Sequence, residues 1–399
     1  MSSENIDLDI SRYKIINKIG EGGFSKVYRV KDAKTKTYYA AKISNMMIDE
    51  ETKNSQEARL LFREVNLMAI LNHPSILTFI GYYPTNFEDE PLPTIITELS
   101  SNGSLRDIIE MELSGLSPED WTSTKKLISI YGIASGMSYL HAHNILHRDL
   151  KPENILMNDY LYPKISDFGL SKITDFLSIS MNFQSQKGLK GTPIYMAPEI
   201  LAEENYSKAG DVYAFAFIVY EMMTGKRPFN NEKLAVIQLI KKISIEGFRP
   251  EIDEDVPGIY KELIQSCWSQ KAEDRPSFES IVQELKTNEE FITELIDQLE
   301  FFDYVEFIDK YQTTFESDNR LSYEEFIKTN GRNKSLKTVS IKKFDDYSDE
   351  KEEENESANE IQEINPQNKQ GETFHIKNDS SNIDDRSNPQ KIKEVNSSI

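Results

Sequence analysis

The segment ILHRDLKPENIL, residues 145–156, sets His147, Arg148, Asp149, Lys151, Glu153 and Asn154 between two aliphatic pairs, Ile145 with Leu146 and Ile155 with Leu156. Two further segments follow it in order, KISDFGLSK at 164–172 and GTPIYMAPE at 191–199. Well upstream lies IGEGGFSKVY, residues 19–28, a Gly-rich turn between apolar runs. It approaches the phosphate-covering pattern G-x-G-x-x-G-x-V, with Ser25 where the third glycine belongs. Tyr13, Ile15 and Ile16 before the turn, and Val27, Tyr28 and Val30 after it, predict a hairpin.

Between the turn and the charged segment, YYAAKI reads as a strand in which Lys42 is the one charge among apolar neighbours. The stretch SQEARLLFREVNLMAIL then reads as a helix, with Glu64 between Leu61, Val65, Met68 and Leu71. Taken singly, each feature has a plain account: hairpin punctuation, an edge lysine, a solvated glutamate. Taken in this order, a strand lysine and a helix glutamate could form an ion pair that holds the ammonium on nucleotide phosphates.

Composition bounds the alternatives. At 399 residues and 38% hydrophobic content the chain can bury one large core or two ordinary ones. The longest strongly apolar run, VYAFAFIVYEMM at 212–223, is too short to span a bilayer and contains Glu221. MSSENIDLDI has neither the basic nor the apolar region of a signal peptide. With Cys267 the single cysteine, no internal disulfide can form, and we expect a cytoplasmic protein, the nucleus being the other compartment compatible with this. A net charge of −21 excludes broad nucleic-acid binding, which needs clustered Lys and Arg, so any phosphate site must be local. Patterning divides the chain into a short extension at 1–12, a well-patterned region at 13–286, an amphipathic helical extension at 287–330 and a tail at 331–399. The tail, with its charge run DDYSDEKEEENESANE, lacks the apolar residues to offset chain entropy and is expected to be disordered.

HRDLKPEN, DFG and APE, at these spacings and in this order, resemble the signature segments of eukaryotic protein kinases across residues 13–286. The resemblance implies an α+β, bilobal fold, with a small β-rich lobe carrying one helix and a large, mainly helical lobe. It implies a phosphotransferase whose work is positioning and charge neutralisation of the γ-phosphoryl group of ATP with Mg²⁺, acting on protein substrates. Carried over by residue, Gly20 and Gly22 let the backbone approach the phosphates, and Ile19, Val27, Ala40 and Leu156 enclose the adenine. Lys42 contacts the phosphates and pairs with Glu64. Thr97 is the gatekeeper, Glu98 and Ser100 belong to the hinge, and Asp107 lies near the ribose. Asp149 accepts the substrate hydroxyl proton, Lys151 stands by the γ-phosphate, and Asn154 and Asp167 hold Mg²⁺. Asp211 anchors the catalytic loop, Glu199 pairs with Arg275, and Met68, Phe79, His147 and Phe168 form a stack. Lys151 with Pro152 and Glu153, and Thr192 in GTPIY, favour Ser or Thr as the acceptor.

CWSQKAEDRPSF resembles the tyrosine-kinase-like group of serine/threonine kinases, with Ala272 where Pro is usual and AFAF at 214–217 as a second departure. A kinase-like module that only binds partners would typically have lost Lys42, Asp149 or Asp167, and all three are present. Regulation is expected in the segment between Asp167 and Glu199, where phosphate on Ser178, Ser180 or Ser185 could pair with Arg148. TFESDNRLSYEEF resembles the latter half of a calcium loop, but Thr314 and Asn319 occupy the places of the first ligand and the turn glycine, so we read it as an acidic helix cap.

Overall fold

The computed structural model describes residues 10–317, apart from 24, 50–51, 54, 168–191, 203–205 and 231–233. The predicted hairpin opens the smaller lobe: β1 (Tyr13–Glu21) pairs antiparallel with β2 (Ser25–Asp32). With β3 (Tyr38–Ser44), β4 (Phe79–Tyr83) and β5 (Thr94–Glu98) they form one sheet in the order β1-β2-β3-β5-β4. Side chains alternate across a strand, so register decides which residues share a face. Val27 lies opposite Lys42 and Ala40 opposite Thr97, which puts these four on one face. The other face carries Val30, Ala41 and Ile96, which form the small buried core of this lobe with Tyr13 and Tyr83.

Helix α1 (Gln56–Ile70) is the lobe's one α-helix among the described residues, started by Ser55, whose hydroxyl accepts the Ala58 N–H. The larger lobe is helical. Its elements are α2 (Leu105–Leu113), α3 (Ser123–Ala142), the short α4 (Pro198–Leu201), α5 (Lys208–Thr224), α6 (Val236–Glu246), α7 (Gly258–Cys267) and α8 (Phe278–Thr287). Helix α5 contains the apolar run at 212–223 and is buried on every side, as a helix apolar all round must be. It packs against α7, while α3 packs against α8. Among the described helices none is long and apolar enough to cross a membrane. Two short strands, β6 (Ile155–Met157) and β7 (Pro163–Ile165), pair antiparallel; β6 directly follows the charged segment and β7 leads to Asp167.

The extension after α8 departs from a continuous helix. A single 3-10 turn at Glu289–Phe291 is capped by Asn288, the chain then runs without helix to Asp297, and α9 covers Gln298–Ser317. Asp297 restarts the helix, its carboxylate accepting the N–H groups of Leu299 and Glu300. Because α9 continues through Thr314 to Ser317, the start of the calcium-like segment is helix and not loop. The rest of that segment, from Asp318 on, and the tail at 331–399 lie outside the described residues, as does Phe168.

Candidate active site

The charged loop at 147–154 is held from beneath by one buried carboxylate. Asp211, in the first turn of α5, accepts the His147 N–H at 3.0 Å and the Arg148 N–H at 2.9 Å, and bonds the Tyr206 hydroxyl at 2.8 Å and His141 Nε2 at 2.9 Å. Burial alone would push its pKa up, but the bond to His141 and the neighbouring His147 and Arg148 N–H leave it below the ordinary aspartate value. His147 joins this loop to the next. Its Nδ1 accepts the Asp149 N–H at 3.3 Å, which makes Nε2 the donor to the Ser166 carbonyl at 3.1 Å. Burial holds the ring neutral by lowering its pKa.

Within the loop, Asp149 Oδ2 accepts from Lys151 Nζ at 2.8 Å and from Asn154 Nδ2 at 3.0 Å. Asn154 Nδ2 also reaches the Asp149 carbonyl at 2.7 Å, and the Asn154 carbonyl accepts from both the N–H and the hydroxyl of Ser166. Thus Asp149, Lys151 and Asn154 form one bonded unit, tied to the residue preceding Asp167.

Asp167 faces the other lobe. Its Oδ1 accepts from Lys42 Nζ at 2.7 Å, and the same ammonium reaches Glu64 Oε1 at 3.1 Å. Burial works against the ammonium, but the two carboxylates outweigh it and hold the Lys42 pKa above the ordinary lysine value. Lys42 in turn holds Asp167 below the usual aspartate range. The expected pair of Lys42 with Glu64 is therefore formed, with Asp167 as a third member.

Val27, Ala40 and Thr97 share one face of the sheet, and an isolated bridge joins Leu156 to Ser104 just past the hinge segment. Gly20 lies opposite Val27 in the neighbouring strand, and Ile19 is exposed. Thr97 Oγ1 donates to the Glu98 carbonyl at 3.1 Å. The Glu98 side chain turns away, to Thr78 and to Lys164 at 2.9 Å. Ser100 Oγ is buried and finds no hydrogen-bond partner among the described residues. Asp107 has a structural task whose signal is the spacing Ser104-x-x-Asp107: its carboxylate accepts the Ser104 N–H while Ser104 Oγ accepts the Asp107 N–H, a capping box that starts α2.

Around this cleft, Arg275 clasps Glu199 through two bonds, at 2.7 and 2.8 Å, as expected. A second clasp was not anticipated. Arg106 on α2 meets Glu153 at 3.0 Å, Glu221 of α5 at 2.5 Å and the Tyr195 hydroxyl at 2.9 Å. Its signal in the sequence was Glu221, a lone carboxylate within the apolar run of α5. Arg148 lies over the Tyr206 ring at 5.9 Å and forms no ion pair with a described carboxylate. Thr192 opens a 3-10 turn, Thr192–Tyr195, while Ser178, Ser180 and Ser185 lie outside the described residues.

The donor set suits Mg²⁺: one Asp167 carboxylate and the Asn154 side-chain carbonyl are hard oxygen ligands, few enough to leave room for phosphate oxygens. No group of three or more His, Cys, Asp or Glu residues among the described ones is arranged to hold a metal ion by itself.

Comparison with known proteins bears on the same stretch of the chain. Residues 13–285 match the protein kinase domain. The chain is 31% identical over 288 residues to the serine/threonine-protein kinase CTR1 of Arabidopsis thaliana, covering 72% of this chain and 33% of that protein. It is 31% identical over 286 residues to the serine/threonine/tyrosine-protein kinase HT1 of the same plant, covering 72% and 69%. To the dual specificity protein kinase shkB of Dictyostelium discoideum it is 33% identical over 280 residues, covering 69% and 40%. The chain thus spans about a third of the length of CTR1 and well under half that of shkB. A match that takes in residues 13–285 of 399, on a two-lobed fold whose charged loops meet at one cleft, makes the chain a member of the protein kinase family.

Proposed function

We propose that the chain is a serine/threonine protein kinase that transfers the γ-phosphoryl group of ATP to protein hydroxyls with Mg²⁺, and that it belongs to the tyrosine-kinase-like group. One observation carries the reading: a single ammonium, Lys42, is bonded both to Glu64 on α1 and to Asp167 after β7, and so ties the two lobes together across the cleft. In this role Lys42 neutralises phosphate charge, and Glu64 keeps the ammonium aimed into the cleft. Asp149 takes the hydroxyl proton of the acceptor, oriented by Lys151 and Asn154. Lys151 places a positive charge where the transferred group arrives. Asp167 and Asn154 would hold Mg²⁺, which when bound supplies charge neutralisation for the phosphate oxygens. Val27, Ala40 and Leu156 form the apolar slot for the base, and Ser100 offers a polar edge at the hinge. We infer action in a reducing compartment, the cytoplasm with the nucleus as the alternative, from the single cysteine, Cys267; a fluorescent fusion found in an oxidising compartment would overturn that inference.

Lys151 and the GTPIY segment support Ser and Thr as acceptors, and the printed names of HT1 and shkB make tyrosine the alternative to test. The purified full chain, given radiolabelled ATP, Mg²⁺ and a mixed protein substrate, is expected to yield mainly phosphoserine and phosphothreonine, and Lys42→Met none. Asp149→Asn is expected to lower kcat by about 100- to 10,000-fold while MgATP still binds, since only the proton acceptor is lost. Predominant phosphotyrosine would overturn the acceptor assignment, and no incorporation by the wild-type chain would overturn the kinase reading.

A further inference from the structure

Helix α9 lies beyond the segment that matches the kinase domain, yet it packs against α3 and buries Phe301, Tyr304, Val305 and Ile308. Covering an apolar surface requires no hydroxyl, and Tyr304 brings one into the interior, where it and Ser75 Oγ share a hydrogen bond of 3.1 Å. Ser75 belongs to the segment joining α1 to β4. Its carbonyl accepts the Ile165 N–H at 2.7 Å, and the Ile165 carbonyl accepts the Leu77 N–H at 2.9 Å. Ile165 ends β7, two residues before Asp167.

Three more observations converge on this hydroxyl. The Tyr304 ring packs against Tyr162, at the entrance to β7, with centroids 4.6 Å apart and the planes tilted by 53°. A Cβ at Gly132 of α3 would stand 2.5 Å from the Tyr304 oxygen, 2.7 Å from Pro163 and 3.2 Å from Ser75 Oγ, so α3 leaves room for the group. Further along α9, Tyr311 donates to Asn72, immediately after the residue that caps α1. One helix therefore grips both connections that carry the carboxylates around Lys42: the end of α1, which bears Glu64, and β7, which leads to Asp167.

We propose that Tyr304 is a positioning residue: through Ser75 and Ile165 it sets the placement of Asp167, and so the extension helix tunes how the cleft holds the metal–nucleotide complex. The inference rests on the kinase reading above. A hydroxyl pair shut away from water has no other partner to turn to, so the bond persists. Close packing passes a shift at one end to the other, and a displacement of an ångström at a charge-bearing group is costly to transfer. Burial keeps the Tyr304 phenol protonated by raising its pKa, against the opposing bond with Ser75.

Tyr304→Phe in the full chain removes the one oxygen and keeps the ring, and Ser75→Ala removes its partner. Two readouts test the coupling. Amide hydrogen exchange at Ile165 is expected to accelerate about three- to tenfold in either variant and no further in the double variant, as for one shared bond. Affinity for ATP with Mg²⁺ is expected to weaken by a similar factor, while affinity for ATP without metal stays at the wild-type value. Unchanged exchange at Ile165, or equal loss of both affinities, would show that α9 only covers the domain. The exchange readout needs no catalysis, so a chain that transferred no phosphate would sink the kinase reading and leave this coupling to be decided separately.

Discussion

Arg148 and Asp167 both have positive φ, 65° and 53°, a region that side-chain-bearing residues seldom occupy without compensation. For Arg148 the compensation is Asp211, which accepts its N–H; for Asp167 it is the ion pair with Lys42. A buried histidine carries a consequence for pH. His73, whose Nδ1 accepts the Ser75 N–H, is pushed down to about 3 by burial and by nearby Lys164. The folded form therefore keeps it neutral while the unfolded chain protonates near the ordinary value of 6.5, so its contribution is full above 6.5 and is lost as pH falls below it. Between about pH 7.5 and about pH 5.5 that loss amounts to about 1.4 kcal/mol. Denaturant unfolding at both pH values should show His73→Gln losing less stability on acidification than wild type by this amount, and equal losses would mean that His73 is not held neutral. At this scale the catalytic-type residues were legible because their spacing is distinctive. Tyr206 and His141, which complete the bonding of Asp211, were not, since each is chemically ordinary until the fold brings it to the carboxylate.

Helix α3 carries glycines at 132 and 136, one turn apart and thus on one face. A Cβ at 136 would meet Ile165 at 2.7 Å and Ser75 at 3.3 Å, so the pair forms the groove into which β7 and the α1–β4 connection settle. Gly132→Ala sets two effects against each other. Alanine gains about 1 kcal/mol in helix propensity, while overpacking against Tyr304 and Pro163 costs about 1–3 kcal/mol. The contacts at 2.5 and 2.7 Å are with ring and hydroxyl atoms held by packing, so overpacking wins and the melting temperature should fall. A rise would show that α9 yields freely. Other elements could be read from the chain because they announce themselves: the helical periodicity of α1 and the alternation of β1 and β2. The break at Ile292–Asp297 was missed because three-to-four-residue periodicity continues in the letters across it, and only the Asp297 cap marks the restart.

Across the whole molecule, two lobes and a cleft were foreseeable because the motif segments come in a fixed order along one chain. The docking of α9 was not, since amphipathicity says that a face is buried and never against what. The Arg106, Glu153, Tyr195 and Glu221 cluster joins residues up to 115 positions apart, as 221 minus 106, beyond the reach of local pattern. The same whole-molecule view bears on control of the segment between Asp167 and Glu199. A net charge of −21 leaves no general basic field to receive a further anion, so a phosphate there needs a specific cation. Arg148 is suited to that part: its backbone is fixed by Asp211, its guanidinium lies over Tyr206, and no described carboxylate engages it in an ion pair. Lys187 and Lys190 lie in the same segment as Ser178, Ser180 and Ser185. A phosphoserine brings about −1.5 to −2 charges and three acceptor oxygens, which a fixed arginine can engage through charge-assisted hydrogen bonds. Phosphatase-treated protein should therefore show a lag on addition of Mg²⁺ and ATP, shortened by preincubation with both, and replacement of the three serines by alanine should hold the rate at its initial low value. Treated and untreated protein with the same initial rate, and no lag, would mean that phosphate on this segment does not switch the enzyme.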